Sequence, residues 1–244
     1  MPFVCRISIP LCFFFLALLL IGCGRQSPPA DPNAIEKKPL ATPELVSDRP
    51  KIVLFGDSLT AGFGLLEKES YPYLLQEKLK AAGYNYEVVN AGVSGDTSLG
   101  GTERIDWVLE MDRVEILVLE LGANDLLRGV PVDDMKANLD AIIKKAKAKN
   151  VRILLCGMFA PPTMGIEYQR SFMKAFPDLA TENRINYLPF LLQGVAMNKD
   201  LNQADGIHPN AEGEKIMTEN VYQELKKMLE PPAPSGSATP AAAK

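Results

Sequence analysis

The chain has 244 residues, 47% of them hydrophobic and 23% charged, and a formal net charge of −4. This balance suits a chain that buries a core, and mild acidity without long Lys/Arg blocks excludes nucleic acid as an electrostatically selected partner.

In chain order, Arg6 precedes an apolar stretch at 11–21 that closes on Gly22. The stretch is short for a membrane-spanning helix, which needs about 20 apolar residues, and its layout predicts an export signal at 1–22. Leu20-Ile21-Gly22-Cys23 resembles the lipobox of bacterial lipoproteins. That likeness implies a lipidated Cys23 as the mature N-terminus, stably anchored by two or more acyl chains in the bacterial envelope and facing the periplasm or exterior. Residues 23–50 are rich in Pro, Ala and charge without apolar periodicity, and 231–244 in Pro, Ala, Ser and Thr. The first predicts a flexible tether and the second a disordered tail, leaving one domain at 51–230, within the usual size range. Cys5 and Cys12 fall in the signal, so Cys156 is the domain's single cysteine. No disulfide is expected, and a lone cysteine ending an apolar run reads as a small core residue.

Short apolar runs predict strands at 51–55, 86–90, 114–121, 151–157 and 186–188, and helical spacing falls at 71–82, 101–111, 132–149, 168–183 and 211–229. Uninterrupted runs such as Ile116-Leu117-Val118-Leu119 suit strands covered on both faces. Alternating strands and helices predict an α/β fold in three α/β/α layers, a doubly wound parallel five-stranded sheet of the flavodoxin-like kind. In such sheets ligands bind beyond the carboxyl ends of the strands. The loops after the first three strands, Gly56-Asp57-Ser58-Leu59, Gly92-Val93-Ser94-Gly95-Asp96 and Gly122-Ala123-Asn124-Asp125, therefore share one edge.

Taken singly, the residues of these loops read as ordinary turn and capping residues; together they describe a chemistry. Ser58, directly after a buried strand, offers a hydroxyl and a backbone N–H to the crevice. Gly92 lacks a Cβ, so its N–H can approach an anion closely, and the Asn124 amide is a donor suited to a developing oxyanion. His208 is the chain's only histidine, so any step that needs an imidazole near neutral pH uses it. Asp205, three residues earlier, is placed to orient it, and Pro209 restrains the turn. Asp57 and Asp125 read as turn-forming carboxylates. Ser94 is a rival nucleophile, but Gly-x-Ser-x-Gly fails there at Asp96, as it fails around Ser58 at Thr60, which disfavours an α/β-hydrolase elbow. One histidine without clustered cysteines gives no metal site, and no cofactor is expected.

These blocks, in order and across the whole domain, resemble the SGNH hydrolases, also called GDSL esterases/lipases. Gly92-Val93-Ser94-Gly95-Asp96-Thr97 and Asp205-Gly206-Ile207-His208-Pro209-Asn210 are most similar to the bacterial thioesterase I/lysophospholipase L1/arylesterase subgroup. The resemblance implies Ser58 as nucleophile, His208 as general base and Asp205 as its orienting carboxylate. It also implies an oxyanion hole made of the Ser58 and Gly92 N–H groups and the Asn124 side chain. The activity implied is cleavage of carboxylic esters or thioesters through an acyl-enzyme, with small acyl-ester, lysophospholipid or thioester substrates. Two alternatives are an O-acetyl esterase acting on envelope polysaccharide and a non-catalytic envelope-binding lipoprotein. Met158, Phe159, Met164, Phe172, Met173 and Phe176 are expected to form core or, alternatively, an acyl-chain wall. Nothing in the helical faces demands a dimer; a monomer fits.

Overall fold

The structure, a computed structural model, describes residues 48–231. The expected signal at 1–22, Cys23, nearly all of the tether and residues 232–244 of the tail lie outside the described residues. Five parallel strands, β1 (Lys51–Gly56), β2 (Glu87–Gly92), β3 (Val114–Glu120), β4 (Arg152–Cys156) and β5 (Asn186–Leu188), form one sheet in the order β2-β1-β3-β4-β5. This is the expected doubly wound order, in which the chain reverses direction across the sheet beside β1.

The core follows from the strand sequences. Ile52, Val53, Leu54 and Phe55 of β1 and Ile116 to Leu119 of β3 have no solvent exposure, because helices cover both faces. Each such side chain contributes about 1.5–3 kcal/mol relative to exposure. On one face α2 (Tyr71–Ala81) packs on α7 (Ala211–Leu225); on the other α5 (Val132–Ala148) packs between α3 (Ser98–Val108) and α6 (Ile166–Asn183). Among the described residues no helix is long and apolar enough to cross a membrane.

Two elements without a periodic signature are α1 (Ser58–Ala61) and α4 (Ala123–Leu127), each starting within three residues of a strand end. Several boundaries also differ from expectation. Strand β2 runs on to Gly92, paired with Gly56 of β1, so Gly92 ends the strand and does not sit in the following loop. Helix α3 begins at Ser98, three residues before 101, because Thr97 caps it by accepting the Gly100 N–H. Helix α7 stops at Leu225 and not at 229, beyond which the chain continues in turns toward Pro231.

Candidate active site

Strand β1 delivers Ser58. Asp57 caps α1, its Oδ1 accepting the Leu59 N–H at 3.0 Å, so Ser58 is the first helical residue and its N–H has no intrahelical acceptor. Behind this turn lies a buried carboxyl group unanticipated from the sequence. Glu120 Oε2 accepts the Asp57 N–H at 3.1 Å and the Thr60 hydroxyl at 2.8 Å, and Thr60 Oγ1 lies 2.9 Å from the Tyr71 hydroxyl. Gly56 is required here: a Cβ would stand 2.3 Å from Glu120 Oε2 and 2.1 Å from Thr60 Oγ1. The signal for Glu120 was present, since a carboxylate at the end of an otherwise apolar buried strand needs a local partner.

His208 and Asp205 come from a tight loop before α7. Gln203 N–H donates to the His208 carbonyl at 2.8 Å and Asn210 N–H to the Leu201 carbonyl at 2.9 Å, closing the loop like a short hairpin. Asn210 then caps α7 by accepting from Glu212 and Gly213. Asp205 Oδ1 accepts the N–H groups of Ile207 and His208, while Oδ2 lies 2.7 Å from His208 Nδ1. The ring bond to His208, followed by those two backbone N–H groups, holds the Asp205 carboxyl down to about 2. On the other side of the ring, His208 Nε2 lies 2.9 Å from Ser58 Oγ. Phe63 faces the imidazole with ring centroids 4.6 Å apart, and Gln203 Nε2 ties the two segments together by donating to the carbonyls of Phe63 and Pro209.

The other expected donors are nearby and occupied. Asn124, in the first turn of α4, donates through Nδ2 to Asp57 Oδ2 and to the Asp96 carbonyl, each at 2.9 Å. The Gly92 N–H donates to Asn90 Oδ1 at 2.9 Å. A glycine is needed at 92 for packing, because a Cβ would lie 2.3 Å from the Ala61 nitrogen where α1 crosses β2. Arg104 of α3 fixes this corner, donating to Asp96, to the Ala91 carbonyl and to the Gly56 carbonyl, with its guanidinium 3.8 Å from the Phe55 ring centroid. Neither Arg104 nor Phe63 carried a motif signal in the sequence.

Asp125, expected to form a turn, instead reaches the start of α3, where it accepts the Ser98 N–H at 2.8 Å and the Ser98 hydroxyl at 2.5 Å. Ser94 is exposed and also borders the crevice, but the imidazole meets Ser58. Cys156 is fully buried, and burial pushes its thiol pKa well up, which leaves it inert.

Ser58, Asn124 and His208 open onto a cavity of about 670 Å³ walled by Leu59, Phe63, Leu126, Met158, Phe159 and Phe190, among others. Phe159 and Phe190 stack with centroids 4.2 Å apart and planes 2° from parallel. The side chains expected to be core or, alternatively, an acyl-chain wall therefore divide: Met158 and Phe159 line the cavity, whereas Phe172 and Phe176 are fully buried core.

A hydroxyl bonded to an imidazole at the carboxyl edge of a flavodoxin-like sheet, facing an apolar cavity, defines the SGNH class of hydrolase. Comparison with known proteins gives the family: the model of the GDSL-like Lipase/Acylhydrolase family matches residues 54–216, and the chain belongs to that family. It is similar to the esterase TesA of Pseudomonas aeruginosa, 38% identical over 178 residues that make up 73% of this chain and 89% of that protein. It is also similar to thioesterase 1/protease 1/lysophospholipase L1 of Escherichia coli K12, 32% identical over 178 residues, 73% of this chain and 84% of that one. Among solved structures it resembles the psychrotrophic esterase EstA from Pseudoalteromonas sp. inhibited by monoethylphosphonate. That likeness has a TM-score of 0.70 and 35% identity, covering 73% of this chain and 97% of the other. The chain is a carboxylic ester hydrolase.

Proposed function

We propose that hydrolysis proceeds by two-step acyl transfer, with Ser58 as nucleophile, His208 as general base and then general acid, and Asp205 orienting and stabilising the imidazolium. The observation that carries this reading is the hydrogen-bonded line Ser58 Oγ, His208 Nε2, His208 Nδ1, Asp205 Oδ2, with links of 2.9 and 2.7 Å. In the first step His208 takes the hydroxyl proton as Oγ attacks the ester carbonyl, then passes it to the departing alkoxide. In the second step it deprotonates water, which attacks the acyl-enzyme, and it returns that proton to Ser58 Oγ as the bond to the acyl group breaks and the acid leaves. The oxyanion would be met by the N–H groups of Ser58 and Gly92 and by Asn124. The last two would have to turn from Asn90 Oδ1, Asp57 Oδ2 or the Asp96 carbonyl toward the substrate as charge develops.

The cavity's size and apolar wall support an acyl chain of several carbons over acetate, which favours aryl esters, lysophospholipids or acyl thioesters above envelope O-acetyl groups. A p-nitrophenyl ester panel from acetate to palmitate tests this, and activity confined to acetate would sink it. A fluorophosphonate probe followed by mass spectrometry tests the nucleophile: the expected adduct is on Ser58 and is absent from Ser58→Ala. The apolar run with Cys23 supports export and lipid anchoring to the envelope, with residues from 24 onward as tether. Membrane fractionation of Cys23→Ala checks it, since that variant should leave the membrane fraction.

A further inference from the structure

We propose that Glu120 is a positioning residue of the oxyanion hole, its carboxyl group tying down both ends of the Ser58 turn so that the Ser58 N–H is left aimed at the crevice. This rests on Ser58 being the nucleophile. Around Ser58, three neighbouring donors already have acceptors: the Leu59 N–H goes to Asp57 Oδ1, and the Asp57 N–H and Thr60 hydroxyl go to Glu120 Oε2. With residues 57, 59 and 60 held, the peptide of Ser58 cannot rotate without breaking one of these bonds.

The position of Glu120 also accounts for Gly56. The carboxyl group lies directly over the Gly56 α-carbon, at a register where β1 pairs Gly56 with Glu120. The glycine that opens the Gly56-Asp57-Ser58-Leu59 motif is thus the space through which Glu120 reaches the turn.

The group acts as a neutral acid. Glu120 has no solvent exposure, and among the described residues its Oε1 has no hydrogen-bond partner. An ionised carboxylate with one oxygen orphaned in the core is strongly disfavoured. Burial, and then the neighbouring Asp57 charge, push its pKa well above the usual carboxylate range. A neutral carbonyl oxygen at Oε2 still accepts from Asp57 and Thr60, and it places no fixed negative charge behind an N–H that has to meet an oxyanion.

Two substitutions separate positioning from bulk stability. Glu120→Gln keeps a neutral acceptor, and Glu120→Met keeps the volume and loses the acceptor. With thermal unfolding measured on each, the Gln variant is expected to keep kcat on p-nitrophenyl butyrate within about threefold of the parent. The Met variant should lose about 10- to 100-fold in kcat with KM within about twofold, part of the roughly 10²–10³ that a lost oxyanion donor costs. Its rate of fluorophosphonate labelling should fall in parallel. A folded Met variant with parental kcat, a loss confined to KM, or a Gln variant losing more than tenfold would each overturn the proposal. If Met does not fold, Thr60→Val, which removes one of the two donors that Glu120 Oε2 holds, takes its place with the same expected loss in kcat and the same overturning results. Failure of the parent protein to label at Ser58 would instead remove the nucleophile assignment.

Discussion

Ser58 Oγ and His208 Nε2 are 2.9 Å apart although 150 residues separate them in the chain. The contact joins a turn that follows β1 to a loop that precedes α7, and His208 is the chain's single histidine. No second imidazole can take over, so His208→Ala is expected to lower kcat by about three orders of magnitude or more. Steady-state hydrolysis of p-nitrophenyl butyrate measures this; a variant keeping a tenth of parental turnover would remove His208 as the base.

Asp205 serves His208 through both oxygens, one bonding the ring and the other the backbone N–H groups that shape the loop. Asp205→Asn keeps the shape but offers the ring an amide in place of a carboxylate, which favours the wrong tautomer and removes the charge that stabilises imidazolium. A kcat loss of about 10²–10⁴ at little change in melting temperature is expected. Because its carboxyl is held at about 2, a lowered folded value, its contribution to stability is present above the ordinary value near 3.8 and is lost only as pH falls toward 2. Asp205 therefore stays ionised throughout the working range, and no acid limb of the activity profile above pH 4 belongs to it.

What could be read in the sequence and what could not divides on physical lines. The central strands β1, β3 and β4 were legible because burial on both faces demands unbroken apolar runs, as in Ile116 to Leu119. Asp205 and His208 were legible because their relation is local, and Ser58 joined them through the rule that the carboxyl ends of parallel strands share an edge. Helices α1 and α4 left capping residues but no periodicity, since four or five residues are too few for one. Gly92 was expected to admit an anion, yet its missing Cβ first serves the close crossing of α1 over β2. Phe63 and Arg104 act through tertiary contacts at separations that no local pattern encodes.

The stacked pair Phe159 and Phe190 lies along the cavity wall, with Phe159 itself half exposed. Phe159→Ala removes apolar surface of the cavity wall that would meet an acyl chain and no bond of the Ser58–His208–Asp205 line. For a decanoyl ester kcat/KM is expected to fall about tenfold, from the loss of roughly 1–2 kcal/mol of apolar contact, while acetyl ester hydrolysis stays within about twofold. Equal losses on both esters would place the effect in the catalytic line and not in the cavity.

Glu214 of α7 reaches α2 through its carboxyl group, whose Oε2 accepts the Tyr71 N–H, the first of α2, at 2.6 Å. This joins the helix after the His208 loop to the helix whose Tyr71 hydroxyl meets Thr60 beneath the Ser58 turn. Burial raises the Glu214 pKa from 4.5 to about 8, against the opposing effect of the Tyr71 N–H. Between those values the folded protein holds a proton that the unfolded chain has released, so stability falls as pH rises through the window and is fully present only below it. Asp57 and Glu120, also raised by burial, act with the same sign. In Glu214→Gln the proton no longer titrates, so the decline in melting temperature from pH 5 to pH 8.5 should be shallower than in the parent, whatever the offset between the two at pH 5. Melting curves at half-unit pH intervals measure both slopes, and parallel declines would show that Glu214 is already ionised in the folded protein at neutral pH.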